Sequence, residues 1–306
     1  MHEIMFLFSV ILLHVTLCTG KQIPFCNCQK KEIYCRNLRD FDAAIIEILS
    51  AKENCDVSKF QLVNSHLFAL PNEAFDGTNF LEMKLVNTFL PFLTPPFDER
   101  PFLGGKDVTE ITLKEVQHPY NWDWSVMNIC QRLKALRILK SNMLYIGPTF
   151  QMMNISSLRV LVIENSRVKW IHDKAFSSFK KLSYFHLIDN HIQTFKRSFL
   201  PNPAENLNVI NLKNNALDYI EEDFFENMPE LTYVNLQKNN FATLAEFKEN
   251  SFFIDISGNP LRCDCSIKWL QKSANITDVY RIHCILPGSD HKRVLFRHVD
   301  WHEIDC

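Results

Sequence analysis

Glycine is scarce in this chain, at 7 of 306 residues. No phosphate-cradling glycine-rich loop, no G-x-S-x-G and no catalytic-triad spacing is present, so the signatures of nucleotide-binding and hydrolytic enzymes are missing. An excess of one charge is missing too: 33 Lys and Arg face 35 Asp and Glu, for a formal net charge of -2. That balance argues against a protein built to bind nucleic-acid or lipid phosphate. After Gly20 no run reaches the ~18 apolar residues that a membrane-spanning helix needs, so no membrane insertion of the mature chain is expected.

What is abundant is phenylalanine, with 25 residues, and a recurring spacing of apolar positions. From Leu158 to Asn259 the order L-x-x-L-x-L-x-x-N repeats in phase, starting at Leu158, Leu182, Leu207 and Leu231 and closing at Ile254, Ile256 and Asn259. The same template fits earlier lines from Val57, Phe80, Val108 and Leu133, and a shortened last line from Ser251, giving about nine. One strand and one return loop enclose nothing, so each unit must stack on its neighbours. The eighth position after each start is Asn190, Asn215, Asn239 and Asn259 late in the chain, and Ser65, Thr88, Ser141 and Ser166 in other lines. Val116 holds that place in the third line and cannot accept a hydrogen bond, so irregular stacking is expected there. Nine or ten residues after that position recur Phe75, Phe97, Phe150, Phe176, Phe199 and Phe224, which would stack as a spine on the convex side.

Met1 to Gly20 has the apolar run of a secretory signal, with a weak n-region at His2 and Glu3. A signal anchor is the competing reading, although about 13 to 14 apolar-rich residues are short for a bilayer. Cys18 would leave with the signal. Cys26, Cys28, Cys35 and Cys55 remain near the start and Cys263, Cys265, Cys284 and Cys306 at the end, with Cys130 alone between. Clusters at both ends behind a signal imply disulfide-stapled caps in an oxidising compartment, which cover the unpaired edges of a strand stack. A zinc site is the weaker reading because paired C-x-x-C spacing is absent. The first four cysteines allow three connectivities.

Three features match a known family. Asn259 to Leu270, N-P-L-R-C-D-C-S-I-K-W-L, resembles the opening of the C-terminal cap of extracellular leucine-rich repeat proteins, such as Slit-like proteins and Toll-like receptor ectodomains. The Cys26-x-Cys28 pair with Cys35 resembles their N-terminal flanking module, except that Gln22 stands where that family carries a further cysteine. The in-phase repeat between them completes the resemblance. It implies an α/β repeat solenoid, a leucine-rich repeat horseshoe with a concave parallel sheet and an irregular or short-helical convex side. It also implies Cys263–Cys284 and Cys265–Cys306 pairing, and binding by the concave face. The expected organisation is a signal peptide (1–20), an N-terminal cap (21–56), the repeats (57–259) and a C-terminal cap (260–306).

On each strand the residues alternating with the core face the concave side. The second position after each start reads Ala135, Val160, Tyr184, Val209, Tyr233 and Phe253 without a polar interruption. The fourth position reads Arg137, Val162, His186, Asn211, Asn235 and Asp255. Six strands in line span about 24 Å, which suits a polypeptide better than a metabolite. An apolar stripe with a polar border marks an interaction surface, and Tyr and Phe are typical interface anchors. The competing explanation is that such residues suit strands and cover one another.

Several smaller features complete the inventory. Asn154-Ile155-Ser156 and Asn275-Ile276-Thr277 are glycosylation sequons, expected on the convex side and in the C-terminal cap. The run His118 to Trp124 is either a binding loop or a replacement for the missing spine Phe of the third repeat. His291-Lys292-Arg293 is a small basic run, and His298 with His302 has metal-like spacing inside a cysteine-tied cap; neither is expected to be a site. Cys130 reads as a buried thiol or as an intermolecular bridge. The expected protein is secreted and non-enzymatic, without cofactor or metal. It binds an extracellular protein ligand or a cell-surface receptor. A receptor ectodomain continuing beyond Cys306 and a matrix structural protein are the alternatives.

Overall fold

The structure is a computed structural model. It describes residues 24–306 apart from 54, 97–101, 248–251, 273–280, 290–291 and 305. The chain begins with a hairpin, β1 (Cys26–Gln29) and β2 (Glu32–Arg36), followed by helix α1 (Phe41–Lys52). Asp40 caps α1, its carboxylate accepting the Ala43 amide at 2.8 Å. Parallel strands follow: β3 (Lys59–Val63), β4 (Glu82–Val86), β5 (Glu110–Lys114) and β6 (Ala135–Leu139). Then come β7 (Tyr145–Ile146), a short α2 (Pro148–Gln151), β8 (Val160–Glu164) and β9 (Trp170–Ile171). The series closes with β10 (Tyr184–His186), β11 (Val209–Asn211), β12 (Tyr233–Asn235) and β13 (Phe253–Asp255). One 11-stranded sheet has the order β1-β2-β3-β4-β5-β6-β8-β10-β11-β12-β13, parallel throughout except at the first hairpin. β7 pairs with β9 separately.

The repeat lines explain this order. Third- and fifth-position residues such as Phe60, Leu62, Leu136, Ile138, Leu161 and Ile163 point inward and are buried. Below the strands runs the aromatic spine. Phe75 meets Phe102 at 6.1 Å, Trp124 meets Phe150 at 5.0 Å, and Phe150 meets Phe176 at 5.8 Å. Phe195 bridges Phe199 and Phe224 at 5.5 and 5.7 Å. The expected spine member Phe97 lies outside the described residues; within them Phe102 makes the contact with Phe75. Trp122 and Trp124 are both buried, and Trp124 takes the spine place of the third repeat. Their indoles donate to Leu90 O at 2.7 Å and Pro119 O at 3.1 Å, so neither buries an unmet N–H. The two tryptophans are therefore core and replace the missing spine Phe, while His118 of the same stretch stays half-buried at the surface.

Between repeats the eighth-position side chains form a ladder. Asn190 Oδ1 accepts the Ser166 and Val168 amides at 3.1 Å each, while its Nδ2 donates to Ile163 O and Ile188 O at 2.9 Å. Asn239 and Asn259, two and three units farther on, repeat the pattern. Serine does part of the same work: Ser166 Oγ accepts the Ser141 amide and Ser141 Oγ accepts the Val116 amide.

The irregular stacking expected at Val116 is not found in the sheet. Residues 82–86 pair in unbroken register with 110–114, and these with 135–139. Beside Val116, Phe89 N donates to Ser65 O at 2.9 Å and Gln117 N to Thr88 O at 2.9 Å, and the Thr88 hydroxyl is buried without a partner among the described residues.

Disulfides close both ends. Cys26–Cys35 closes the hairpin and Cys28–Cys55 ties it to the segment just after α1, deciding among the three connectivities. At the other end Cys263–Cys284 and Cys265–Cys306, the pairs that the resemblance implies, hold β14 (Leu261–Arg262), β15 (His283–Ile285) and β16 (Arg293–Leu295) over the last repeat. The Trp269 indole donates to Leu244 O at 3.0 Å, joining this cap to the solenoid. Cys130 is a buried free thiol, and desolvation pushes its pKa up to about 12. Gly105 lies directly over it: a Cβ there would stand 2.6 Å from Cys130 Sγ, so only glycine permits that approach. Among the described residues no helix is long and apolar enough to cross a membrane.

Candidate functional site: the concave face

Strand pairing is position for position, so the second-position residues form one continuous line: Lys59, Glu82, Glu110, Ala135, Val160, Tyr184, Val209, Tyr233, Phe253. The line divides into two halves of different chemistry. In the first half charges pair along the face, Lys59 with Glu82 at 2.8 Å and Arg137 with Glu110 at 2.9 Å. These pairs are solvated and contribute little to stability. From Ala135 onward the line is apolar and aromatic. Tyr184 is 45% exposed and Phe253 53%, while Val160, Val209 and Tyr233 are half-buried. Two aromatic faces therefore meet solvent at the middle and end of the apolar half.

Not every residue expected on this surface is offered to a ligand. Ala135 is buried, because a methyl beside its larger neighbours does not reach past them. Asn235 and Asp255 are buried as well. Asn211, Asn235 and Asp255 each accept the backbone amide two residues ahead, at 3.1, 3.0 and 3.0 Å to Lys213, Gln237 and Ser257. The Asp255 carboxylate also takes the Gln237 side-chain amide. This part of the polar column thus holds the strand ends and is less free to set a ligand's register than the sequence suggests. Val162, His186 and Asn211 remain half-buried on the face.

His186 lies at its centre, with Val162 and Asn211 opposite on the two flanking strands. Burial lowers its pKa, and its Nε2 is hidden without a hydrogen-bond partner among the described residues. The imidazole is therefore held neutral, since a proton on Nε2 would leave a buried N–H with nothing to accept it.

Sequon residue Asn154 is exposed on the convex side, its backbone amide donating to Asn128 Oδ1 at 2.7 Å. Asn275 lies outside the described residues, as does His291 of the basic run. Among the described residues no group of three or more His, Cys, Asp or Glu is placed to hold a metal ion. A cavity of about 580 Å³ lies on neither the concave nor the convex side. It opens on the flank where the strands end; Val116, Ser141 and His118 of its lining stand out in the sequence for other reasons, whereas Asn87, Gln117, Lys140 and Asn165 do not.

No protein-family model and no curated protein matches the sequence. Similarity is found among solved structures. One is the leucine-rich repeat protein FLRT2 from an octameric complex with Latrophilin 3 and Unc5D, at 15% identity and a TM-score of 0.61, covering 92% of this chain and 99% of that one. Another is human 5T4 (Wnt-activated inhibitory factor 1, Trophoblast glycoprotein), at 14% identity and a TM-score of 0.58, covering 93% and 99%. At these identities the likeness concerns architecture, and it agrees with the strand order and with the disulfides at both ends. The chain has the fold of a leucine-rich repeat solenoid with a cysteine-rich cap at each end.

Proposed function

We propose that this protein is an extracellular, secreted recognition protein that binds a protein ligand through the C-terminal half of its concave face and has no catalytic role. The observation that carries this reading is the in-register apolar line ending in exposed Tyr184 and Phe253, on a face whose other half is covered by paired charges. Large solvent-facing aromatics on a rigid sheet lose little conformational freedom on binding, which is what makes such residues interface anchors. Four disulfides favour an oxidising, extracellular setting. The FLRT2 neighbour was solved in an assembly with Latrophilin 3 and Unc5D, which supports partner recognition as a use of this scaffold.

The test is affinity capture from extracellular fluid and from cell surfaces, with the wild type beside a Tyr184→Asp/Phe253→Asp variant whose fold is checked by circular dichroism. Removing two anchors at ~2 kcal/mol each should weaken a concave-face partner by about 30-fold if the two act as one unit and by about 800-fold if they add. Equal capture by both proteins overturns the assignment of the face.

A further inference from the structure

At the end of each strand the chain leaves the sheet through a residue with positive φ: Asn64 (50°), Asn87 (48°), Glu115 (57°), Lys140 (50°) and Asn165 (48°). Because the strands are in register, these residues stand in a row along one flank, one per repeat. They line two adjoining cavities of about 580 and 410 Å³, which share Asn87 and Gln117 and so form one trough. It runs from Arg39 beside β2 to Arg167 beyond β8, five strand intervals or about 24 Å.

The lining has a specific chemistry. Asn64, Asn87, Gln117, Asn142 and Asn165 are carboxamides, each able to donate and accept. Asn87 Nδ2 donates to Asn64 Oδ1 at 2.8 Å, and no donor among the described residues reaches Asn142 Oδ1. Arg39, Lys140 and Arg167 supply three cations, none held in an ion pair among the described residues, against the single carboxylate of Glu115. Flat rings form part of the wall: His66 lies on Phe89 with centroids 4.2 Å apart, and His118 meets Phe89 edge-on at 5.6 Å.

We propose that this trough binds an acidic oligosaccharide. A row of carboxamides at one-strand spacing matches a chain of hydroxyls. The rings offer a flat surface to a sugar face, and the surplus of two cations selects an anionic chain. A peptide fits less well, because its affinity depends on apolar anchors seated in sockets. The lining here is polar, and the protein's exposed anchors stand on another face. This inference is independent of the concave-face reading.

Lys140 and Arg167 occupy left-handed backbone, at φ 50° and 61°, where asparagine is at least as well accommodated. A Lys140→Asn/Arg167→Asn variant therefore removes the charge without disturbing the fold, as thermal unfolding will verify. Calorimetric titration at about 0.15 M salt would use four probes: a heparin-derived octasaccharide, a sialylated N-glycan, neutral maltooctaose and octaglutamate. Binding of either acidic saccharide, weakened at least tenfold in the double variant and unchanged in Tyr184→Asp/Phe253→Asp, supports the site. Preference for the sulfated probe assigns a matrix glycan, and preference for the sialylated one a glycoprotein. The proposal is overturned if neither acidic saccharide binds the wild type, or if octaglutamate binds as tightly as the better saccharide. It is also overturned if affinity is lost in a Lys292→Gln/Arg293→Gln control instead of in the trough variant.

Discussion

Replacing Asn190 by alanine tests whether the ladder between repeats holds the solenoid. The side chain is buried and makes four hydrogen bonds, accepting from Ser166 and Val168 and donating to Ile163 O and Ile188 O. Alanine leaves two buried amides unmet at about 1–3 kcal/mol each; with partial entry of water the expected loss is about 3 kcal/mol. Serine gives an internal comparison, because Ser166 shows what a hydroxyl does at the equivalent place. It accepts one amide at 3.2 Å and donates to Glu164 O at 2.8 Å. Asn190→Ser should therefore cost about half as much as Asn190→Ala. Stability in a stack is a sum of neighbour terms, so the weakened junction opens locally before the whole chain unfolds. The assay is urea unfolding together with hydrogen exchange at the Ser166 and Val168 amides, which should lose protection ahead of amides near Asn239. An alanine variant within about 1 kcal/mol of wild type, or a serine variant no better than alanine, would refute the reasoning.

Two further outcomes follow from particular residues. His186 has a lowered pKa in the folded state, so below its unfolded value of about 6.5 the unfolded chain binds the proton first and stability falls as the pH falls toward the folded value. Urea unfolding at pH 7.5 and 5.0 should show a smaller acid loss in His186→Gln than in wild type; an equal loss would sink this assignment. Glu115 occupies left-handed backbone at φ 57°, where Cβ crowds the following carbonyl and Asn is better accommodated, so Glu115→Asn should raise stability by up to about 1 kcal/mol. Because that change also removes the only carboxylate lining the flank trough, it should tighten acidic oligosaccharide binding in the same titration. An unchanged melting temperature would count against the backbone argument, and unchanged affinity against the electrostatic one.

The fold was legible because the repeat constrains the interior twice over, through apolar residues at period two and through a polar side chain that must satisfy backbone groups beside it. Both constraints leave marks in single residues, from Leu161 and Ile163 to Asn190. The concave line was legible for the same reason, since whatever alternates with the core must face the other way. Which of its members meet solvent was not. Asp255 is turned to the backbone of Ser257 and to Gln237, and that depends on a neighbouring repeat 18 residues away. Phe102 in the spine was hidden by an insertion that disturbs the spacing. The N-terminal pairing needed distances, because Cys28 reaches Cys55 only once α1 has brought the chain back. The flank trough left no motif at all: Asn64, Asn87 and Asn165 read as ordinary turn residues until the register lines them up.

That register survives the longest interruption in the chain. The proline-rich stretch after Leu90 lengthens its repeat, yet Glu82 still faces Glu110 and Lys84 still faces Thr112. Among the described residues of and after that stretch, Leu93 and Phe102 are buried and Trp122 bonds back to Leu90 O. A convex insertion changes neither the second-position line nor the left-handed row, because both are set between the strand start and the ladder residue. A one-residue change inside that interval would act differently. It would exchange inward and outward side chains along the strand, breaking the concave line and the flank row together. The two faces can thus carry different ligands while depending on the same eight-residue spacing.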